Sequence, residues 1–258
     1  MDVTRRNLIV SGGKLTATAL VAASGASSLT VDSPALQNSG GRKIKVVVCG
    51  GHPGDPEYGC GATAALLTAF GHQVDFLYLN DGAWPPASAS TRAAEAAKAC
   101  EILRTRPGYA GQVNSHAIVD PAHYEEYHAL LMTRNPDAVL THWPIDNHAD
   151  HRATTMLTYN SWNKSGKKFA LYYYEVSNGE DTLQFSPNRY VDISGVEVQK
   201  RAACYAHASQ TPDRYYEIQD GVARFRGLEG GCKRAEAFLW QSQSPFDIFP
   251  IAQNYFIK

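Results

Sequence analysis

The sequence predicts an α/β fold with a mostly parallel sheet, helices on both faces and a C-terminal elaboration. Apolar, β-branched runs alternate with helix-like segments over residues 43–175. This alternation is typical of parallel, doubly wound sheets. Two of the apolar runs end in polar loops rich in histidine and aspartate, and the carboxyl edge of such a sheet is where chemistry is usually found.

Composition narrows the class of protein. The chain has 258 residues, 44% of them hydrophobic, and a net charge of −1 without a long basic block. A nucleic-acid partner is therefore not expected. The five cysteines are widely spaced and odd in number, which favours buried thiols over a disulfide framework. A homo-oligomer is compatible with the sequence.

Residues 1–40 differ from the remainder. The pair Arg5-Arg6 is followed by a weakly apolar run rich in glycine, alanine and threonine and then by a small polar tract. This order is typical of a twin-arginine export signal followed by a linker, and predicts a periplasmic or extracellular protein with its folded domain at residues 41–258. A disordered tail is the alternative, and the apolar run is a poor permanent membrane span.

The first half of the domain reads as strand and helix in turn. Residues 43–49 predict a buried strand, 62–70 a helix, 73–79 a second strand and 92–103 a helix capped by Thr91. Residues 108–119 are ambiguous and include a short predicted strand.

The second half continues the pattern before it weakens. The pattern predicts helices at 122–133, 152–162 and 196–207, with a further helical segment near 233–241. It predicts strands at 138–141, 169–174 and 190–193. The sequence after residue 210 is otherwise interpreted as turns.

The first motif, residues 52–57, follows the first predicted strand. His52 and Asp55 stand three apart in a Gly/Pro-rich turn, so an imidazole and a carboxylate can converge on one point, and zinc accepts such ligands. A turn with a capping aspartate is the alternative. A metal-free nucleotide-binding domain is a weaker alternative, because the spacing of Gly50, Gly51 and Gly54 matches neither nucleotide fingerprint.

The second motif, residues 146–151, follows the strand at 138–141. His148, Asp150 and His151 place two imidazoles and a carboxylate within four residues. One imidazole can bind a metal, while the other polarises a carbonyl or protonates an amine. Parallel topology brings both motifs to one edge of the sheet, which favours a site over a solvated loop.

These residues resemble a known family. Residues 51–62, centred on His52-Pro53-Gly54-Asp55, are similar to the His-Pro-Asp-Asp signature of the LmbE-like (PIG-L-type) zinc-dependent N-deacetylases. Residues 146–151 resemble that family's Asp-x-His-x-Asp-His signature, and residues 200–210 and 235–238 also fit it.

The resemblance implies a Rossmann-like fold and one zinc ion, for which another divalent metal could substitute. By position, His52, Asp55 and His151 would be the metal ligands. His148 would act as acid or oxyanion stabiliser, oriented by Asp150. Family members remove the N-acyl group from N-acetylglucosamine-type amino sugars or related amides, so the resemblance implies a small-molecule or glycoconjugate substrate.

Gly54 departs from the family pattern, which usually has an aspartate there as the general base. Losing a base typically slows a reaction about 10²–10⁴-fold. Asp146 is one expected substitute and Glu57 another. The third alternative is a zinc-containing glycan-binding pseudoenzyme. A Gly54→Asp variant is expected to raise turnover if the remaining machinery is intact.

Four further side chains are candidates near the site. The resemblance suggests that His207 lines the pocket, and Trp84 and Tyr58 are candidate rings for stacking on a sugar. His142 stands at a strand end, where a role behind the metal ligands and simple packing are both open.

Overall fold

The computed structural model describes residues 42–176 and 184–249. The predicted export signal and linker, residues 1–40, lie outside the described residues. That prediction, and the domain boundary drawn from it, stay predictions.

Seven strands form one sheet within the described residues, in the order β3-β2-β1-β4-β5-β7-β6. They are β1 (Lys45–Gly50), β2 (Gln73–Asn80), β3 (Arg106–Gln112), β4 (Ala138–His142), β5 (Ala170–Tyr174), β6 (Arg189–Asp192) and β7 (Ala235–Trp240). Strands β1 to β5 pair in parallel, and β7 pairs antiparallel with both β5 and β6. The predicted mostly parallel sheet is confirmed.

Helices cover both faces of this sheet, as predicted. They are α1 (Asp55–Ala69), α2 (Ala89–Leu103), α3 (Pro121–Met132), α4 (Ala149–Lys164), α5 (Glu197–Tyr205) and α6 (Pro212–Gly230), with a short 3₁₀ helix at Ala208–Gln210. Helices α1, α2 and α5 pack together, and α3 packs on α4. Val47, Leu131, Leu157 and Trp162 belong to the apolar core that α3 and α4 share with the sheet. Within the described part of the chain, no helix is long and apolar enough to cross a bilayer.

The strand order indicates where ligands can bind. Strand β1 pairs with β2 on one side and with β4 on the other, so the sheet is built outward in both directions from β1. The carboxyl ends of β1 and β4 therefore flank the topological switch point, where ligands of doubly wound sheets bind.

The C-terminal third corrects two expectations. The segment near 233–241 is not helical: it is β7, because Phe238 and Leu239 pair with β5 and Ala237 with β6. Helix α6 occupies residues that read as turns, since Gly221, Gly227 and Gly230 conceal its helical pattern. Here tertiary pairing and packing outweigh local propensity.

Two smaller points concern helix starts and cysteines. The cap of α2 is Ser88, whose Oγ accepts a hydrogen bond from the Thr91 N–H at 3.2 Å, so the prediction of Thr91 was wrong. The predicted buried thiols are confirmed for Cys49, Cys60, Cys100 and Cys204, and all five cysteines are free.

Candidate active site

The two motifs meet at the carboxyl ends of neighbouring parallel strands. The first motif turns directly out of β1 into α1, which begins at Asp55, inside the segment expected to be loop. The second motif leads from β4 into α4, which begins at Ala149. The predicted meeting of the two motifs at one edge of the sheet is confirmed.

A single carboxylate oxygen is the centre of the site. Asp55 Oδ2 lies 3.2 Å from His52 Nδ1, 3.1 Å from His151 Nε2 and 3.3 Å from His142 Nε2. The same oxygen accepts the His52 N–H at 2.7 Å. All three predicted metal ligands therefore converge, and two overlapping groups of ligand atoms lie within 4.8 Å of one another: His52, His148 and His151, and Asp55, His142 and His151.

His142, which the sequence left open, belongs to this cluster. Its ring stacks on His151, with centroids 3.9 Å apart and planes 5° apart. Its Nε2 accepts the Gly51 N–H at 2.9 Å. Burial and the neighbouring His151 lower the pKa of His142 to about 4, so the ring is a neutral acceptor. The only sequence signal for it was its place at the end of β4.

The two aspartates of the second motif lie behind the histidines. Asp146 Oδ2 contacts His151 Nδ1 at 2.9 Å, and Asp146 Oδ1 accepts the His148 N–H at 2.7 Å. Asp150 Oδ2 lies 3.0 Å from His52 Nε2. Asn80 Nδ2 and the Ser115 N–H also donate to Asp150 Oδ2. Both carboxylates are buried and lie outside the set of residues that line the cavity.

The cluster is electrostatically suited to a cation. Burial opposes a charged His151, yet the carboxylates of Asp55 and Asp146 raise its pKa to about 10. Burial alone would raise the pKa of Asp55, but the imidazoles of His151 and His52 hold it well below its usual value. A proton on His151 thus compensates the buried carboxylates. A divalent cation can replace it, and this donor set of one carboxylate and several imidazoles fits zinc as well as iron or cobalt.

His148 is placed as a hydrogen-bond donor to the cavity. It is the N-cap of α4, and its Nδ1 accepts the Asp150 N–H at 3.2 Å. Burial and the nearby His151 and His52 lower its pKa, so the ring is neutral with its proton on Nε2. The orienting contact from Asp150 is therefore made by its peptide N–H, while its carboxylate serves His52.

The turn at Gly54 has a backbone that suits only glycine. Gly54 has φ of 110°, a conformation that residues with a side chain adopt at a strain. Its N–H donates to Glu57 Oε2 at 3.1 Å. Glu57 is fully buried, and its Oε1 accepts from Tyr78 Oη at 2.7 Å and lies 3.0 Å from His207 Nε2. These contacts hold Glu57 behind the turn, away from the cavity.

A cavity of about 540 Å³ opens in front of the cluster, within the usual range of ligand pockets. His52, Asp55, His148 and His151 line its inner end. The three residues predicted to bind substrate also line it: Trp84, which is 65% exposed, and Tyr58 and His207, which are buried. The sequence had not indicated Arg92, a buried wall residue that donates to the Pro53 carbonyl.

The carboxylate–imidazole cluster is a possible metal site, and it lies at the switch point of a doubly wound sheet, where ligands of such folds bind. Residues 47–162 match the model of the PIG-L family, described as GlcNAc-PI de-N-acetylase. Over residues 47–162 the predicted resemblance to the PIG-L (LmbE-like) deacetylases is thus confirmed. The enzymatic class of the chain is that of N-deacetylase hydrolases.

Known proteins resemble the chain over most of its length. A diacetylchitobiose deacetylase from Thermococcus kodakarensis is 26% identical over 234 residues, which cover 81% of this chain and 88% of the relative. A conserved protein from Thermus thermophilus is 26% identical, with a TM-score of 0.69, over 81% of this chain and 97% of its own. The N,N'-diacetylchitobiose deacetylase from Pyrococcus horikoshii, at 23% identity, has a TM-score of 0.67 over 82% of this chain and 90% of its own, and shows the shared fold.

Proposed function

We propose that the chain is a zinc-dependent N-deacetylase that removes the acetyl group from an N-acetylglucosamine-type amino sugar or a related amide. The observation that carries this proposal is the Asp55 carboxylate, surrounded by three imidazole nitrogens at the inner end of a cavity. His52, Asp55 and His151 would hold the zinc. When bound, zinc polarises an amide carbonyl and lowers the pKa of water to about 7.

The residues around the metal site divide the remaining tasks. The Nε2–H of neutral His148 donates to the oxygen that becomes negative when the amide carbonyl is attacked. Such a preorganised donor contributes about 10²–10³ in rate. Asp146 and Asp150 hold the rings of His151 and His52 in position, and carboxylates behind metal-ligating histidines also strengthen those ligands.

The shape and lining of the cavity support a sugar substrate. Trp84 presents an exposed aromatic ring at the wall, and Asn114 and Ser115 add polar groups for hydroxyls. The relative from Thermococcus kodakarensis acts on diacetylchitobiose by its name. An acetylated amino sugar of one or two rings is therefore the substrate class to test first.

Acetate release tests this function directly. The purified chain is stripped of metal by a chelator and assayed on N-acetylglucosamine and diacetylchitobiose, with and without added zinc. We expect release that depends on zinc and returns when zinc is restored. An Asp75→Asn variant is the control and should behave as wild type, since Asp75 pairs with Arg106 away from the cavity. Sugar binding without acetate release from any substrate would instead establish the glycan-binding pseudoenzyme.

We also propose that the chain is exported through the twin-arginine pathway. The support is the order of Arg5-Arg6, apolar run and small polar tract within residues 1–40. A reporter fused to residues 1–40 should leave the cytoplasm, and the Arg5→Lys/Arg6→Lys double variant should retain it. Export of both fusions in equal amounts would contradict the proposal.

A further inference from the structure

Hydrolysis of an amide needs a group that takes a proton from water, and Gly54 offers no side chain for this. Four of the cavity-lining residues are histidines: His52, His148, His151 and His207. His52 and His151 have both ring nitrogens next to carboxylate oxygens. His148 uses its Nδ1 lone pair to accept the Asp150 N–H. Three of the four imidazoles are thus already committed.

His207 is the exception. Its Nε2 lies 3.0 Å from Glu57 Oε1. A carboxylate only accepts hydrogen bonds, so Nε2 carries a proton, and the tautomer of the neutral ring that this contact favours has its lone pair on Nδ1. Nδ1 is buried and has no hydrogen-bond partner among the described residues. An imidazole held by a carboxylate at one nitrogen and without a hydrogen-bond partner at the other has the form of a general base.

The His207 ring lies beside Gly54, with its carbon edge nearest to that residue. A Cβ built on Gly54 would lie 3.9 Å from both Cγ and Cδ2 of His207, with Tyr58 also within contact distance. The carboxylate that holds His207 also accepts the Gly54 N–H. The ring is therefore tied to the turn that contains the metal ligands His52 and Asp55, although 150 residues of sequence separate His207 from Glu57.

We propose that His207, held by Glu57, is the general base of this chain. The inference rests on the proposed deacetylase function. The water oxygen bonds to the amide carbon while one water proton passes to His207 Nδ1, and the carbonyl electron pair moves onto the oxygen held by His148. The pair then re-forms the C=O bond, the C–N bond breaks, and the proton passes from His207 to the departing nitrogen. The products are the free amine and acetic acid, which ionises.

The first measurement is independent of activity. Nitrogen-15 spectra of the zinc-loaded full chain, with ¹⁵N-labelled histidine, give the tautomer of His207, whose signals are assigned by their loss in His207→Gln. We expect a proton on Nε2 and a lone pair on Nδ1. A proton on Nδ1 would overturn the proposal, and because the spectra are those of the wild type, the variant is needed only for assignment. If it does not fold, a neutron structure of the wild type reads the same proton.

The second measurement is kinetic. His207→Gln should lower kcat about 10²–10⁴-fold with little change in KM and with zinc content equal to wild type. In His207→Ala, added imidazole should restore part of the lost rate. The matched control is His128→Gln, since His128 is half-buried, contacts Ser161 Oγ at 2.8 Å and lies outside the cavity lining. It should leave kcat unchanged.

The outcomes separate this inference from the function on which it rests. Wild-type release of acetate with an unchanged kcat in His207→Gln would overturn the base and leave the deacetylase standing. A raised KM with unchanged kcat would make His207 a substrate contact only, which also overturns the base. If the wild type released no acetate from any substrate, the proposed function would fail, and the base with it.

Discussion

The two motifs follow adjacent strands yet use their acidic residues in opposite ways. In the first motif, Asp55 faces the cavity and contacts the imidazoles, while Glu57 lies outside the cavity lining and accepts the Gly54 N–H. In the second motif, Asp146 and Asp150 both lie behind rings that face the cavity. The first motif thus provides the centre of the site, and the second provides the supports around it.

Because of this difference, the two motifs should fail differently when altered. Removing the centre leaves several buried imidazoles without the anion they share. Removing a support leaves the ligand in place but less well oriented. Zinc content, activity and stability, measured on variants of the two motifs, therefore test this difference.

The strongest effect is expected at Asp55. Asp55→Asn removes the charge that His52, His142 and His151 share, so zinc should be lost and acetate release should fall below detection. Elemental analysis and the release assay measure both. Asp75→Asn, which removes a carboxylate from the Arg106 pair, should keep both properties. Full zinc content in Asp55→Asn would show that Asp55 is not the centre.

A weaker effect is expected at Asp146. Asp146→Asn weakens the support of His151 and should lower zinc affinity about 10–100-fold, while saturating zinc restores most of the activity. Zinc titration against a competing chelator measures the affinity. Complete loss of activity with zinc still bound would contradict the supporting role and would identify Asp146 as the base expected from sequence.

A change in stability is expected at Gly54. Gly54→Ala places a side chain at φ of 110° and should lower the free energy of unfolding by about 1–3 kcal/mol, as measured by chemical denaturation. Gly54→Asp carries the same strain, so it should destabilise the fold even if it restores a base. Gly221→Ala is the control, because its Cβ meets nothing within 4 Å in α6 and should stabilise the helix by about 0.5–1 kcal/mol. Equal losses at both glycines would contradict the assignment of strain to Gly54.

The smallest expected effect is a dependence of thermal stability on pH. It should appear only in the metal-free chain, because a bound cation replaces the proton on His151. Burial alone would lower the pKa of His151, but the carboxylates of Asp55 and Asp146 raise it from 6.5 to about 10. The resulting stabilisation is complete below pH 6.5 and is lost as pH rises through 10. The Tm of metal-free wild type should therefore fall faster over this interval than that of metal-free His151→Gln. Parallel curves for the two proteins would rule out His151 as the source.

Most of this cluster could be predicted from sequence because its residues follow the ends of strands β1 and β4. Apolar runs locate such strands, and parallel topology then determines which loops meet. The contacts of His142, Glu57 and Asn80 could not be predicted, since each depends on the register and depth of packing between elements distant in sequence. The start of α1 at Asp55 was hidden by Gly54 and Pro56, which resemble loop residues.

The C-terminal third also shows that local sequence does not determine every element. Ala235, Glu236 and Ala237 are acceptable in a helix, and only their pairing with β6 makes them a strand. The predictions that lie in residues 1–40 remain to be tested by experiment.

The Glu57 carboxylate receives hydrogen bonds from the Gly54 N–H, the Tyr78 hydroxyl and the His207 ring. Three positions far apart in sequence are therefore energetically interdependent. In a double-mutant cycle, substitutions at residues 54 and 207 should depart from additivity by about 0.5–3 kcal/mol. The same coupling constrains evolutionary divergence, because the fitness effect of regaining an acid at position 54 depends on which residue already stands at position 207.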